Sequence, residues 1–142
     1  MKNFLFTCLL ALFGTALFAQ SPVGTWKTVD DNTGQDKSYV EIYKKSDGSL
    51  EGKVIKILTK GKENAKCENC KGSKHNQPVT GMVIMEGLKK SGDKWKGGQI
   101  LDPENGKVYK CQISLKDENT LDVRGFIGFS LIGRTQTWHR IK

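Results

Sequence analysis

The chain has 142 residues, 37% of them hydrophobic and 27% charged, which is enough for one domain that buries about two-thirds of its unfolded surface and not enough for several. It carries 23 Lys and Arg against 15 Asp and Glu, a formal charge of +8. The lysines are spread along the chain, so the composition describes a solvated basic surface with loose attraction to anionic envelope polymers, lipid headgroups or nucleic acid, and excludes a compact block of like charge.

The chain begins with a targeting segment. Lys2 supplies a positive start, Phe4 to Phe18 is an almost unbroken apolar run, and Ala19 precedes Gln20 and Ser21. This pattern predicts a signal peptide over residues 1–20, cleaved after Ala19 or Gln20, and hence an exported protein, periplasmic or extracellular. The run is too short, and its exit too uncharged, for a lasting membrane span, so none is expected in the mature chain. Cys8 follows Thr7 early in that run, not at its end after a small residue, and is expected to leave with the leader. Loss of Lys2 lowers the charge by one.

The mature domain, residues 21–142, reads as a succession of strands. Gly24-x-Trp26 leads into Lys27-Thr28-Val29, and the turn-rich Asp30 to Gly34 ends that strand. Ser38 to Lys45 alternates around Val40 and Ile42, Ser46-Asp47-Gly48-Ser49 carries the Asp-Gly hairpin signal, and Leu50 to Leu58 is rich in Val and Ile. Thr59 to Gln77 has no apolar periodicity and many lysines, which predicts a long exposed loop or flap closed by Pro78. Val79 to Leu88 is nearly all apolar and reads as the next strand; Ser91-Gly92-Asp93 turns the chain, and Lys94 to Leu101 returns with Trp95 as its large anchor.

Asp102 to Gly106 is a turn with Pro and Gly at turn positions. The following strand alternates most clearly, with Tyr109, Cys111, Ile113 and Leu115 on the face assigned to the core. Asp117 to Asn119 turns, Leu121 and Val123 point inward, and the glycine-punctuated Gly125 to Gly133 precedes a closing strand from Arg134 to Ile141. About eight short strands, mostly separated by tight turns and with no amphipathic helix in the mature chain, predict an all-β sandwich or barrel. A closed barrel of about eight strands has room for a side-chain core or one small ligand.

The segments VGTWKTVDDNTG, GGQILDPENGKVYKC and GFIGFSLIGRTQTW give the mature chain a resemblance, nearly end to end, to the bacterial exported family known as domain of unknown function 2147. That resemblance implies a single antiparallel lipocalin-like barrel and no assigned activity. The Gly24-x-Trp26 start and the arginine-bearing last strand are similar to the lipocalin arrangement in which a first-strand Trp packs under a last-strand Arg and closes one barrel end. Arg134 and Arg140 both share a strand face with Trp138, and either fits that part; a guanidinium stacked on indole gains roughly 0.5 to 2 kcal/mol while its donors cap carbonyls at the barrel end. Trp26, Arg134, Trp138 and Arg140 are therefore the expected closure set.

Cys67-Glu68-Asn69-Cys70, set among Lys60, Lys62, Lys66, Lys71 and Lys74, is the sharpest local signal. Three chemistries fit it. In an exported protein the pair forms a disulfide that staples the loop, and the family resemblance agrees, since members carry a cysteine pair here. A redox pair also uses this spacing, with lysines to favour a thiolate, although no βαβ pattern surrounds it. Cys67, Cys70 and His75 make a weak metal site, three ligands where zinc wants four, with water or His139 left to complete the shell. Cys111 is the odd thiol, expected free and buried.

Asp30 to Glu41 has the length of a calcium loop, but Gln35 stands where the sharp turn demands Gly, so the segment reads as a hairpin turn. No nucleophile, metalloprotease, nucleotide or dinucleotide motif is present, so no catalytic residue and no cofactor is assigned. Outward-facing Tyr39 and Tyr43 are thin support for nucleic-acid stacking, and no specific nucleic acid is expected. The leading functional expectation is a small apolar or amphipathic ligand in the barrel, gated by the loop at 59–77. Its competitor is an envelope interaction protein using its basic surface.

Overall fold

The computed structural model describes residues 20–129 and 131–141. The leader expected over residues 1–20, with Cys8, lies outside these apart from Gln20. The described residues form eight strands, β1 (Gly24–Val29), β2 (Asp36–Lys44), β3 (Leu50–Ile57), β4 (Val83–Ser91), β5 (Lys94–Leu101), β6 (Val108–Asp117), β7 (Thr120–Phe126) and β8 (Gly133–Arg140). Each pairs antiparallel with the next, and β8 returns to β1, so the sheet is a closed up-and-down barrel. Gly72–Lys74 is a short 3-10 turn in the long loop. No helix among the described residues is long and apolar enough to cross a membrane.

The sequence alternation sets the two faces. On β6, Cys111 and Ile113 are buried, and on β7 Leu121 and Val123 are buried, with Val123 opposite Ile113 and Gly125 opposite Cys111. Bends are placed where small residues allow them. At Gly98 an added Cβ would lie 2.7 Å from Leu88 Cγ, so only glycine lets β5 pass this close to β4 while Leu88 fills the interior. The strand expected from Val79 begins instead at Val83. Gly81 has φ +89° and Met82 N donates to Val79 O at 3.1 Å, so Val79 to Met82 is a turn whose apolar side chains anchor it to the core.

The two barrel ends differ. At one, Trp26, Val40, Ile42, Leu50, Met85, Leu88, Ile113 and Leu121 are almost wholly excluded from solvent and fill the interior. Short turns close this end, among them Lys45–Ser49, where Asp47 Oδ1 accepts from Ser49 N at 2.9 Å and Ser49 Oγ at 2.6 Å. The other end carries the longer connections: 30–35, 58–82, 102–107 and 127–132.

Closure of the sheet rests on a short ladder, Trp26 with Arg140 and Lys27 with His139. Arg140 reinforces it. Its guanidinium lies 4.3 Å from the Trp26 ring centroid, and Nε, Nη1 and Nη2 donate to Glu118 O, Val23 O and Ser21 O at 2.8, 2.9 and 2.8 Å. Trp26 Nε1 donates to Pro22 O at 2.8 Å. Arg140, not Arg134, is thus the closing arginine. Arg134 stands at the opposite end of β8, and Trp138 lies between them in the interior. The reason is register: β8 places residues 134 and 140 about 20 Å apart at roughly 3.3 Å per residue.

Replacing Arg140 with Met should lower the unfolding free energy by about 2–4 kcal/mol, since three charge-assisted bonds and the ring contact are lost together. Arg140→Lys should recover less than half, because an ammonium cannot serve three carbonyls in a planar fork. Arg134→Met should change stability by under about 0.5 kcal/mol. Urea unfolding of the three variants checks the ordering.

Candidate functional site

The interior that the plugged end does not fill is a cavity of about 1160 Å³, bounded by all four long connections. Its depth is apolar, with Val54, Val79, Ile84, Leu101, Val123 and Trp138 buried around it. Ile57, Ile100 and Tyr109 continue the wall toward solvent.

The rim is polar. Trp138 Nε1 donates to Gln136 Oε1 at 3.1 Å, and Gln136 Nε2 donates to Asp31 Oδ2 at 2.8 Å. Arg134 Nε lies 3.1 Å from that same oxygen. This chain of bonds runs from the cavity interior to the rim and ties β8 to the 30–35 turn. The turn is itself fixed by Asp30, whose Oδ1 accepts from Thr33 N and Asn32 N at 2.9 Å each. Those bonds, the one from Thr33 first, hold the Asp30 carboxyl below its ordinary value. The segment is a hairpin turn, and its second aspartate serves the rim. Across the mouth Lys37 Nζ pairs with Glu104 Oε1 at 3.2 Å.

The lysine-rich loop covers this end and is bolted down. Cys67 and Cys70 are bonded to each other and buried. Cys67 N donates to Gln77 O and Asn76 N to Cys67 O, both at 2.9 Å, and Lys66 bridges to Pro78. Asn69 Nδ2 donates to Glu104 O at 3.0 Å. Gly106, with φ +72°, packs against the backbone of Asn69 so closely that a Cβ would collide with its carbonyl. At its base, Gly81 N donates to Val54 O at 2.6 Å. The loop is largely exposed, as its composition predicts, and it is docked as a wall of the mouth.

His75 Nδ1 lies 3.0 Å from Cys70 O, which can only accept, while Asn76 Nδ2 lies 3.1 Å from His75 Nε2. Its ring nitrogens are thereby occupied in fixing the loop. Cys67 and Cys70, bonded to each other, present no thiolates, and His139 is on β8 beside the plugged end. No cluster of three or more metal-ligating side chains occurs among the described residues. Tyr43 donates to Glu51 Oε1 at 3.0 Å beneath Lys53, which makes it part of the outer wall. Cys111 is free and buried, and burial pushes its thiol from 9.0 up to about 12.

Sequence reasoning named Trp138 and Arg134 but gave them a closing role; the structure places both at the cavity. It missed Asp31, Gln136, Lys37 and Glu104 altogether. They are scattered polar residues with no shared motif, and only barrel closure brings them together.

An eight-stranded antiparallel barrel, plugged at one end and hollow at the other, defines a lipocalin-like protein. A Helicobacter pylori protein, HP1028, described as belonging to the lipocalin family, superposes with a TM-score of 0.75 at 21% identity, covering 86% of this chain and 84% of its own. No curated protein matches the chain significantly. Over residues 24–140 the sequence matches DUF2147, the family described as uncharacterised protein conserved in bacteria. The chain belongs to that family.

Three consequences can be measured. Gly106→Ala should cost more than about 1 kcal/mol, through its positive φ and the collision with Asn69. Amide hydrogen exchange should rise in residues 59–78 well before it rises in β1 and β8. The buried thiol gives an alkaline dependence of known sign: the unfolded chain ionises Cys111 from about pH 9 while the folded chain keeps the proton to about pH 12. Its contribution is complete below pH 9 and is lost at about 1.4 kcal/mol per pH unit above it. The difference in stability between the protein and Cys111→Ala should shrink along that slope.

Proposed function

We propose that the barrel binds one small apolar or amphipathic molecule in its open end. The observation that carries this reading is the cavity itself, about 1160 Å³, with aliphatic side chains and Trp138 buried around it and polar side chains over the rest of its wall. Ligand sites of this kind are concave, largely apolar and furnished with a few convergent polar groups. The apolar part of the ligand lies against Val54, Ile84, Val123 and Trp138. Its polar end meets the rim at the Arg134–Asp31 and Lys37–Glu104 pairs, which exchange a solvent partner for the ligand at little cost because exposed ion pairs are weak. The leader-like residues 1–20 and the Cys67–Cys70 bond support placing this binding outside the cytoplasm, where disulfides persist.

Gly125 provides the test. It lines the cavity, and an added Cβ there meets Ile100 Cγ2 and Tyr109 Cβ at an ordinary 3.6 Å. Gly125→Phe should therefore keep the barrel folded while its ring occupies the ligand's space. Titration with a dansylated fatty acid should show affinity falling at least about tenfold, or about 1.4 kcal/mol, with the thermal midpoint little changed. Equal affinity in the variant, or no saturable binding by the parent protein, would refute the proposal.

A further inference from the structure

The connection from β7 to β8 is unusual for a hairpin at the surface. The run from Gly125 to Gly133 holds no charged residue, and four of its apolar side chains stand in the open: Ile127 is 64% exposed, Phe129 81%, Leu131 91% and Ile132 66%. Single exposed apolar residues are ordinary, but a contiguous set at one tip marks an interaction surface. Nothing in the fold requires it, since the short hairpin tips elsewhere in this barrel are built from polar and charged residues with Gly and Pro.

What surrounds the tip identifies its partner. Lys110 faces Phe126 across the β6–β7 ladder, and its Nζ reaches Gly128 O at 3.4 Å. Arg124 lies two residues before Phe126 on the same outward face and donates to Thr135 Oγ1 at 3.1 Å. The outward positions of β6 and β7 nearest the tip are Val108, Lys110, Gln112, Arg124 and Phe126, which include two cations and no acid. Val108 adds a further exposed apolar side chain at 57%. Of the acids that line the mouth, Asp31 and Glu104 are paired with Arg134 and Lys37, Asp30, Glu63 and Asp102 accept backbone N–H groups of their own turns, and Glu68 lies in the lysine-rich loop.

We propose that the β7–β8 tip docks the barrel on an anionic phospholipid bilayer. Ile127, Phe129, Leu131 and Ile132 enter the boundary between headgroups and acyl chains, and Lys110 and Arg124 lie at the height of the phosphates. Apolar insertion beneath a cationic collar is the combination that holds proteins at anionic interfaces. A second copy of this chain fits less well, because pairing two tips brings two cationic collars together. The inference stands whether or not the cavity holds a ligand, and it sets the mouth against the membrane.

The test is co-flotation of the purified protein with vesicles of phosphatidylcholine alone or mixed with phosphatidylglycerol. The protein should bind the anionic vesicles, and bind less in about 0.5 M salt, where charges are screened within a few ångströms. Phe129→Ser with Leu131→Ser should reduce binding at least about tenfold. Both side chains are exposed, so the fold is retained, as an unchanged near-ultraviolet spectrum would verify. Lys110→Gln should weaken binding several-fold on anionic vesicles and leave the neutral ones alike. Leu131→Trp should shift its emission to the blue on binding. Failure of the parent protein to float, or equal flotation of the double serine variant, overturns the proposal. So does a concentration-dependent dimer that the double variant abolishes, which would assign the tip to a second copy.

Discussion

An eight-stranded sheet becomes a barrel only if its last strand finds its first, and here that meeting depends on one side chain. The β1–β8 ladder is short, and a short ladder alone leaves an edge prone to pair with other chains. Arg140 extends the closure beyond the ladder by gathering the carbonyls of Ser21, Val23 and Glu118 over the face of Trp26. The N-terminal approach, the β6–β7 turn and the last strand are thereby fastened at one point. Every inward face described above presupposes that fastening.

With the barrel closed, the distribution of side-chain volume divides its interior. Large aliphatic residues fill the end beneath Trp26, while smaller or more widely spaced ones leave the other end hollow. Cys111 belongs to the filled part, which explains why its thiol resists ionisation and why it takes no part in the site. The long loop follows the same economy: its disulfide encloses only a few residues, and its position comes from Asn69 resting on the 102–107 turn and from the backbone bonds at its base.

Much of the fold was legible in the sequence because it rests on local chemistry. Period-two alternation located β2, β6 and β7, Asp-Gly marked the 45–49 turn, and Trp26 with a terminal arginine indicated how one end is sealed. The start of β4 was not legible, because Val79 and Met82 are as apolar as strand residues and only the turn made at the left-handed Gly81 keeps them out of β4. The choice between Arg134 and Arg140 was also out of reach, since it depends on which barrel end each occupies and both fit the same alternation. The rim fared worst. Asp31 with Arg134 and Gln136, or Lys37 with Glu104, are pairs across long sequence separations that exist only once the strands have closed.

The division of the interior also has a consequence for how this protein changes over time. The residues that hold the barrel shut and those that shape its mouth stand at opposite ends of the barrel, so substitution at the mouth places little load on closure. The shape of the mouth and the integrity of the fold are then nearly independent variables. The four connections at the open end behave as exchangeable cassettes on a constant frame, and a scaffold of this kind can reshape its mouth loop by loop without having to be rebuilt.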